Sequence, residues 1–171
     1  FGSQSNTSTF TAYGVPAASQ LAGETHGLSV QAATGLTSFR SVLEYFSAMT
    51  ARNIALPNNL PAITPSVDGG PYKRLRFQFT LPNDLDASTT VGYTDAGGAK
   101  AVLMSATRAG YLGGFAVDLT MPDFSGLAGW DNTWAPAAPT TVDWSATAAG
   151  AAVTNLCTSG RIVSSTRIGT A

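Results

Sequence analysis

Charge is the scarcest property of this sequence. Only 11% of its 171 residues are Asp, Glu, Lys or Arg, where a soluble domain carries about 25%. So poorly charged an exterior reads as one covered by something other than water, and copies of the chain itself are the cover this composition favours. Cysteine is reduced to Cys157, so no disulfide forms within the chain, and a buried inert thiol is the plain reading. Histidine is reduced to His26; one imidazole and one thiol cannot furnish a zinc site of several His and Cys ligands. No apolar run approaches the roughly 18 residues of a membrane-spanning helix, and no charged-then-apolar leader opens the chain. Because it opens on Phe1 rather than Met, an upstream segment is expected.

Catalytic signatures are missing as well. A Ser-His-acid arrangement would have to use His26, in Gly23-Glu24-Thr25-His26-Gly27, and no serine has a nucleophile-elbow sequence around it. Neither a G-x-x-x-x-G-K-[ST] loop nor a G-x-G-x-x-G fingerprint occurs, which removes the usual phosphate cradles. Spacing alone places no two carboxylates across a sugar ring. The expectation is a protein that is not an enzyme and needs no cofactor.

What is present is alternation. Over residues 74–81, Leu75, Phe77, Phe79 and Leu81 alternate with Arg74, Arg76, Gln78 and Thr80, the pattern of a strand with one buried face. Phe115, Val117, Leu119 and Met121 repeat it, as do Val142 with Trp144, and Leu28 with Val30 and Ala32. Further strands are expected over 10–15, 90–93, 101–106, 151–157 and 161–168. Asp68-Gly69-Gly70-Pro71, Asp95-Ala96-Gly97-Gly98, Gly113-Gly114 and Ser159-Gly160 supply turns between them. One stretch differs: Phe39, Val42, Leu43, Phe46 and Met49 recur at three and four, which predicts an amphipathic helix over 38–52 capped by Thr37 or Ser38 and lying on a sheet. Pro57, Pro61, Pro65 and Pro71 then make a stiff irregular connection around Asn58-Asn59. The Ala-rich stretches 136–139 and 146–152 read as low-relief packing or loop.

A chain of this length forms one domain and buries roughly 70% of its unfolded surface. The predicted fold class is all-β: a single-domain antiparallel β-sandwich of jelly-roll type over 1–171, with one amphipathic helix and residues 1–9 as a flexible polar stub. The order of elements (the strand around Leu28 to Ala33, a helix from Ser38, the strands over 74–81 and 115–121 and the Thr/Ser-rich end) resembles the coat proteins of small icosahedral viruses, particularly satellite viruses. The resemblance implies an eight-stranded jelly roll, a capsid protein of the virion that self-assembles into a closed shell around nucleic acid, and a basic N-terminal arm before Phe1 that would contact that nucleic acid.

Net charge is −1, which offers no general attraction to phosphate. The local concentration of positive charge is Lys73, Arg74 and Arg76, joined by Arg40 or Arg52 if that segment lies nearby. Arg74 and Arg76 share one strand face and are, with Lys73, the candidate phosphate contacts; a solvated face or subunit salt bridges would use the same residues. Asp84 and Asp86 follow Pro82-Asn83 in a turn and are candidate Ca²⁺ ligands, the ion lying at a subunit interface because two carboxylates are too few for it. Trp130-Asp131-Asn132-Thr133-Trp134 joins two indoles to an acid and an amide, suited to a sugar ring or a protein partner, with Trp144 farther on. That loop supports the alternative function, a monomeric extracellular recognition module, carbohydrate-binding or adhesive, acting through Trp130, Asp131, Asn132 and Trp134.

Overall fold

The alternation in the sequence becomes two packed layers. The protein is described by a computed structural model over residues 14–48, 50–151 and 160–171. In strand β4 (Arg74–Thr80) Leu75 and Phe77 are fully buried while Arg76 and Gln78 are exposed. Its neighbour β7 (Ala116–Thr120) buries Val117 and Leu119, and β3 (Ser66–Asp68) completes a three-stranded sheet in the order β3-β4-β7. The larger sheet holds β1 (His26–Thr34), β2 (Ser38–Phe46), β5 (Ser88–Asp95), β6 (Ala101–Thr107), β8 (Val142–Ala151) and β9 (Gly160–Thr170), in the order β1-β2-β9-β8-β5-β6. All strand pairs are antiparallel. The sandwich core forms where Leu75, Phe77, Val117 and Leu119 meet Val91, Tyr93, Val142, Trp144, Ala146 and Ala148. Phe77 meets Trp144 edge-on, with ring centroids 6.0 Å apart. Burying a side chain of this size contributes about 1.5–3 kcal/mol.

Residues 38–46 are the strand β2 and not the start of the expected helix. The ladder runs from Ser38 opposite Arg167 to Tyr45 opposite Gly160 on one side, and from Ser38 opposite Thr34 to Phe46 opposite His26 on the other. A spacing of four is common to a helical stripe and to one face of a strand. Ser38, Val42 and Phe46 are buried on one face, while Phe39 and Leu43 belong to the other. Residues 50–52 continue as irregular chain. Likewise 146–151 is strand: Ala146, Ala148 and Gly150 line the inner face of β8, and the missing side chain of Gly150 admits the turn carrying Asp84.

The Pro-rich connection takes the place of missing strands over β2 and β9. Arg40 Nη1 donates to the Pro57 carbonyl at 3.2 Å, Arg167 Nε to the Leu60 carbonyl at 3.0 Å, and Arg161 to that of Ala55. Ser165 Oγ accepts the Leu60 amide at 3.0 Å, and Leu60 itself is fully buried. Elsewhere the turn residues act as expected: the Gly98 amide closes on the Asp95 carbonyl at 2.9 Å to join β5 to β6, with Gly98 at φ 65°. Gly113 at φ 66° ends a single π-helical turn, Arg108–Leu112.

The six- and three-stranded sheets make a sandwich; jelly-roll connectivity is not confirmed by this pairing. Residues 10–13 and 152–157 of the expected strands, Cys157 among them, the polar stub 1–9, Met49 and Ser159 lie outside the described residues. Among the described residues no helix is long and apolar enough to cross a membrane.

Tyr93 gives the core an alkaline limit. Its hydroxyl donates to the Lys73 carbonyl at 2.9 Å and approaches Met121 Sδ at 3.4 Å, and burial pushes its pKa up to about 12. Because the folded value exceeds the unfolded value of about 10, this contribution to stability is complete below pH 10 and is lost as pH rises through 12. Urea denaturation between pH 9 and 12 is expected to show a steeper fall for the parent than for Tyr93→Phe; equal slopes would contradict it.

Candidate functional site

The positive cluster is engaged from within, Lys73 by main-chain carbonyls and the two arginines by carboxylates. Lys73, only 6% exposed, donates through Nζ to the carbonyls of Thr140 at 2.6 Å and Ala171 at 2.9 Å. Arg74 donates to the Met121 carbonyl at 2.8 Å and the Gly69 carbonyl at 3.0 Å, and pairs with Asp68 at 2.9 Å and more loosely with Asp123 at 3.8 Å. Arg76 makes a two-pronged contact with Asp118, Nε at 2.8 Å and Nη2 at 2.5 Å. The hydrogen bond to Arg76 holds the Asp118 carboxyl below its ordinary range and raises the Arg76 guanidinium. Asp68, Asp118 and Asp123 come from β3, β7 and the following loop, so their partnership with the β4 arginines depends on strand register. Arg40 and Arg52 do not join this group: Arg40 holds Pro57, and Arg52 pairs with Glu44 at 2.9 Å and lies over the Phe46 ring at 4.0 Å.

The two candidate calcium ligands part company. Asp84 accepts the Asn58 amide at 2.8 Å and Asn58 Nδ2 at 3.3 Å, fastening its turn to the Pro-rich connection. Asp86 faces Arg108 at 3.8 Å. Among the described residues no three His, Cys, Asp or Glu side chains gather to hold a metal ion. His26 stacks at a tilt on Phe46, 5.7 Å between centroids, at the end of β1.

The candidate recognition loop is built on the second, smaller core. Tyr72, 1% exposed, accepts the Phe124 amide at 2.6 Å through its hydroxyl. Trp130 lies 5.6 Å from Tyr72, 5.1 Å from Phe124 and 5.4 Å from Trp134, the last contact edge-on at 78°. Trp130 Nε1 donates to Asn132 Oδ1 at 3.1 Å, and Asp131 accepts the Thr133 amide at 2.8 Å, which holds its carboxyl below the ordinary range. Trp134 closes a three-residue 3-10 turn, Asn132–Trp134, and stands 60% exposed. Trp144 belongs instead to the main core, its Nε1 donating to the Thr170 carbonyl at 3.3 Å. The four loop residues are thus gathered, on a Tyr72 and Phe124 base that the sequence did not single out.

The least expected surface is the outer face of the six-stranded sheet. Register places there Ser29 and Gln31 of β1, Phe39, Ser41 and Leu43 of β2, Ile162, Ser164, Thr166 and Ile168 of β9, Ser145 and Thr147 of β8, Thr90 of β5, and Leu103 and Ser105 of β6. Asp143 is the one acidic or basic side chain on that face among the described residues. Its hydroxyls bond to each other across strands: Ser41 to Ser164 at 2.7 Å, Thr147 to Thr166 at 2.9 Å and Thr90 to Ser105 at 2.9 Å. The paired hydroxyl residues are half-exposed, Ser105 more so, and Phe39 and Leu103 stand exposed beside them. The two edge strands continue this character. Among the described residues β1 pairs only with β2 and β6 only with β5, and neither His-Gly-Leu-Ser-Val-Gln-Ala-Ala-Thr nor Ala-Val-Leu-Met-Ser-Ala-Thr contains Lys, Arg, Asp, Glu or Pro. Natural sheet edges ordinarily carry such residues as protection against pairing with another chain. Neither a family model, nor a curated protein, nor a solved structure matches this chain.

Proposed function

We propose that this protein is a structural subunit that associates with copies of itself through the outer face and open edges of its larger sheet, in the manner of a shell-forming coat protein. The observation that carries this reading is the near absence of charge on a six-stranded face. Depletion of charge, more than raw apolarity, distinguishes the buried centre of protein interfaces from other surface. At the usual strand spacing and rise, six strands of about eight residues offer on the order of 700 Å², close to the roughly 800 Å² that each partner contributes to a standard interface. Hydroxyls already bonded to one another lose little on leaving water. Two sheets stacked face to face would cross at about 30°.

Enclosure of nucleic acid is the finer part of the proposal. Lys73, Arg74 and Arg76 are engaged within the chain, so phosphate contact rests on the basic arm that the resemblance implies. Light scattering and electron microscopy of the purified protein are expected to give particles far larger than 17.5 kDa, carrying nuclease-resistant nucleic acid if the finer reading holds. Thr166→Lys together with Ser145→Lys, at half-exposed outer positions, is expected to dissociate the particles while leaving the far-ultraviolet dichroism unchanged. A monodisperse monomer at every salt and protein concentration defeats the proposal.

A further inference from the structure

The Trp134 indole has no role in the sandwich or in its proposed association. It projects 60% exposed from a loop that is otherwise anchored: Trp130 braces it edge-on, Phe124 and Tyr72 brace Trp130, and Tyr72 is bonded to the chain at Phe124 and Pro122. An isolated exposed apolar residue is ordinary. A rigidly braced indole with polar side chains in the same turn is a different object, because it offers a flat apolar face whose ordering cost was met on folding. Beside it in the same turn stand Asp131, one carboxylate oxygen of which accepts the Thr133 amide, and Asn132, whose Oδ1 is used by Trp130 while its amide nitrogen remains a donor. The exposed Leu127, whose carbonyl accepts the Trp130 amide at 3.1 Å, extends the loop's apolar side.

We propose that Trp134, Asp131 and Asn132 form a carbohydrate-binding site that takes one pyranose ring of a neutral glycan. A pyranose has a face of axial C–H bonds and a rim of equatorial hydroxyls. The C–H face covers the indole, the dehydrated geometry that aromatic side chains favour, while rim hydroxyls donate to the Asp131 carboxylate and accept from Asn132 Nδ2. The Thr133 amide and hydroxyl, with Lys100 acting in the same direction, hold the Asp131 carboxyl below its ordinary range, so the site accepts hydroxyl donors. A neutral glycan is the occupant because Lys100 is opposed by that carboxylate and no arginine or lysine lies in the 130–134 turn to pair with an anionic sugar. The site is independent of self-association and is expected in monomer and particle alike.

Titration with cellohexaose, chitohexaose, xylohexaose and galactohexaose, followed by tryptophan fluorescence and by calorimetry, is the test. At least one is expected to bind, with Trp134→Ala weakening it tenfold or more, Trp134→Phe retaining part of it, and Asp131→Asn shifting which sugar is preferred. Trp134 is exposed, so the alanine variant keeps its melting temperature; Trp130→Ala is avoided because it removes the brace. No binding to any of the four, equal binding by Trp134→Ala, or a protein ligand at Trp134 that no sugar displaces would each overturn the proposal.

Discussion

Gly150→Ala is expected to destabilise the protein by about 3 kcal/mol or more, the upper end of the cost of overpacking. A Cβ there would overlap the Asp84 carbonyl oxygen, lie 2.9 Å from the Asp84 carbonyl carbon and press on Val163 Cγ2 at 3.0 Å. Two of these three are backbone atoms, and their turn is pinned from the other side: Leu85, fully buried, closes its amide on the Pro82 carbonyl at 3.0 Å, and the Asp84 carboxylate holds Asn58. No side-chain rotation relieves the contact. Guanidinium denaturation measures it, with Thr147→Ala on the opposite face of β8 as the control; a midpoint for Gly150→Ala close to that of Thr147→Ala would mean that the turn yields freely.

Lys73→Met is expected to cost about 2 kcal/mol, the scale of hydrogen bonds made by a charged group. Relief of the buried ammonium's desolvation works in the opposite direction. The balance still favours lysine, because Nζ is shared by the Thr140 and Ala171 carbonyls. Thr140 lies just before β8 and Ala171 just after β9, so the ammonium ties together the ends of two neighbouring strands, and the Lys73 amide and carbonyl are used as well, by Pro136 and Tyr93. Methionine preserves the stem and removes only the donors. Thermal denaturation and nucleic-acid binding, measured together, separate two roles for this residue. An unchanged melting temperature with weakened nucleic-acid binding would restore Lys73 as a phosphate contact.

The sandwich could be read from the sequence wherever alternation pairs large apolar residues with plainly polar ones, as Leu75 and Phe77 do with Arg76 and Gln78. It failed over 38–52, where Val42 and Phe46 sit four apart and the intervening Phe39 and Leu43 face the other way; period four does not discriminate a stripe from a strand face. It also failed over 146–151, because alanine carries no contrast between faces. Of the candidate sites, the clustering of the tryptophan loop was readable since its four residues fall within five positions. The fate of Arg74 and Arg76 was not: Asp68, Asp118 and Asp123 reach them through cross-strand register, a relation that spacing along the chain does not encode. The outer face was hidden for the same reason, its serines and threonines being dispersed over six segments.

One last consequence follows from the way the connection over residues 50–65 is held. The arginines of β2 and β9 grip main-chain oxygens, and prolines at 57, 61 and 65 supply no N–H that would need a partner in a layer lacking a neighbouring strand. Side chains add to that grip at buried Pro57, Leu60 and Ile63 and at Asn58 and Asn59, which bond Asp84 and Ser38. Sequence drift is therefore cheap only at the strap's exposed positions and costly at Arg40, Arg161 and Arg167, so related chains should keep the three clasps while the outer lettering of the ribbon they fasten changes.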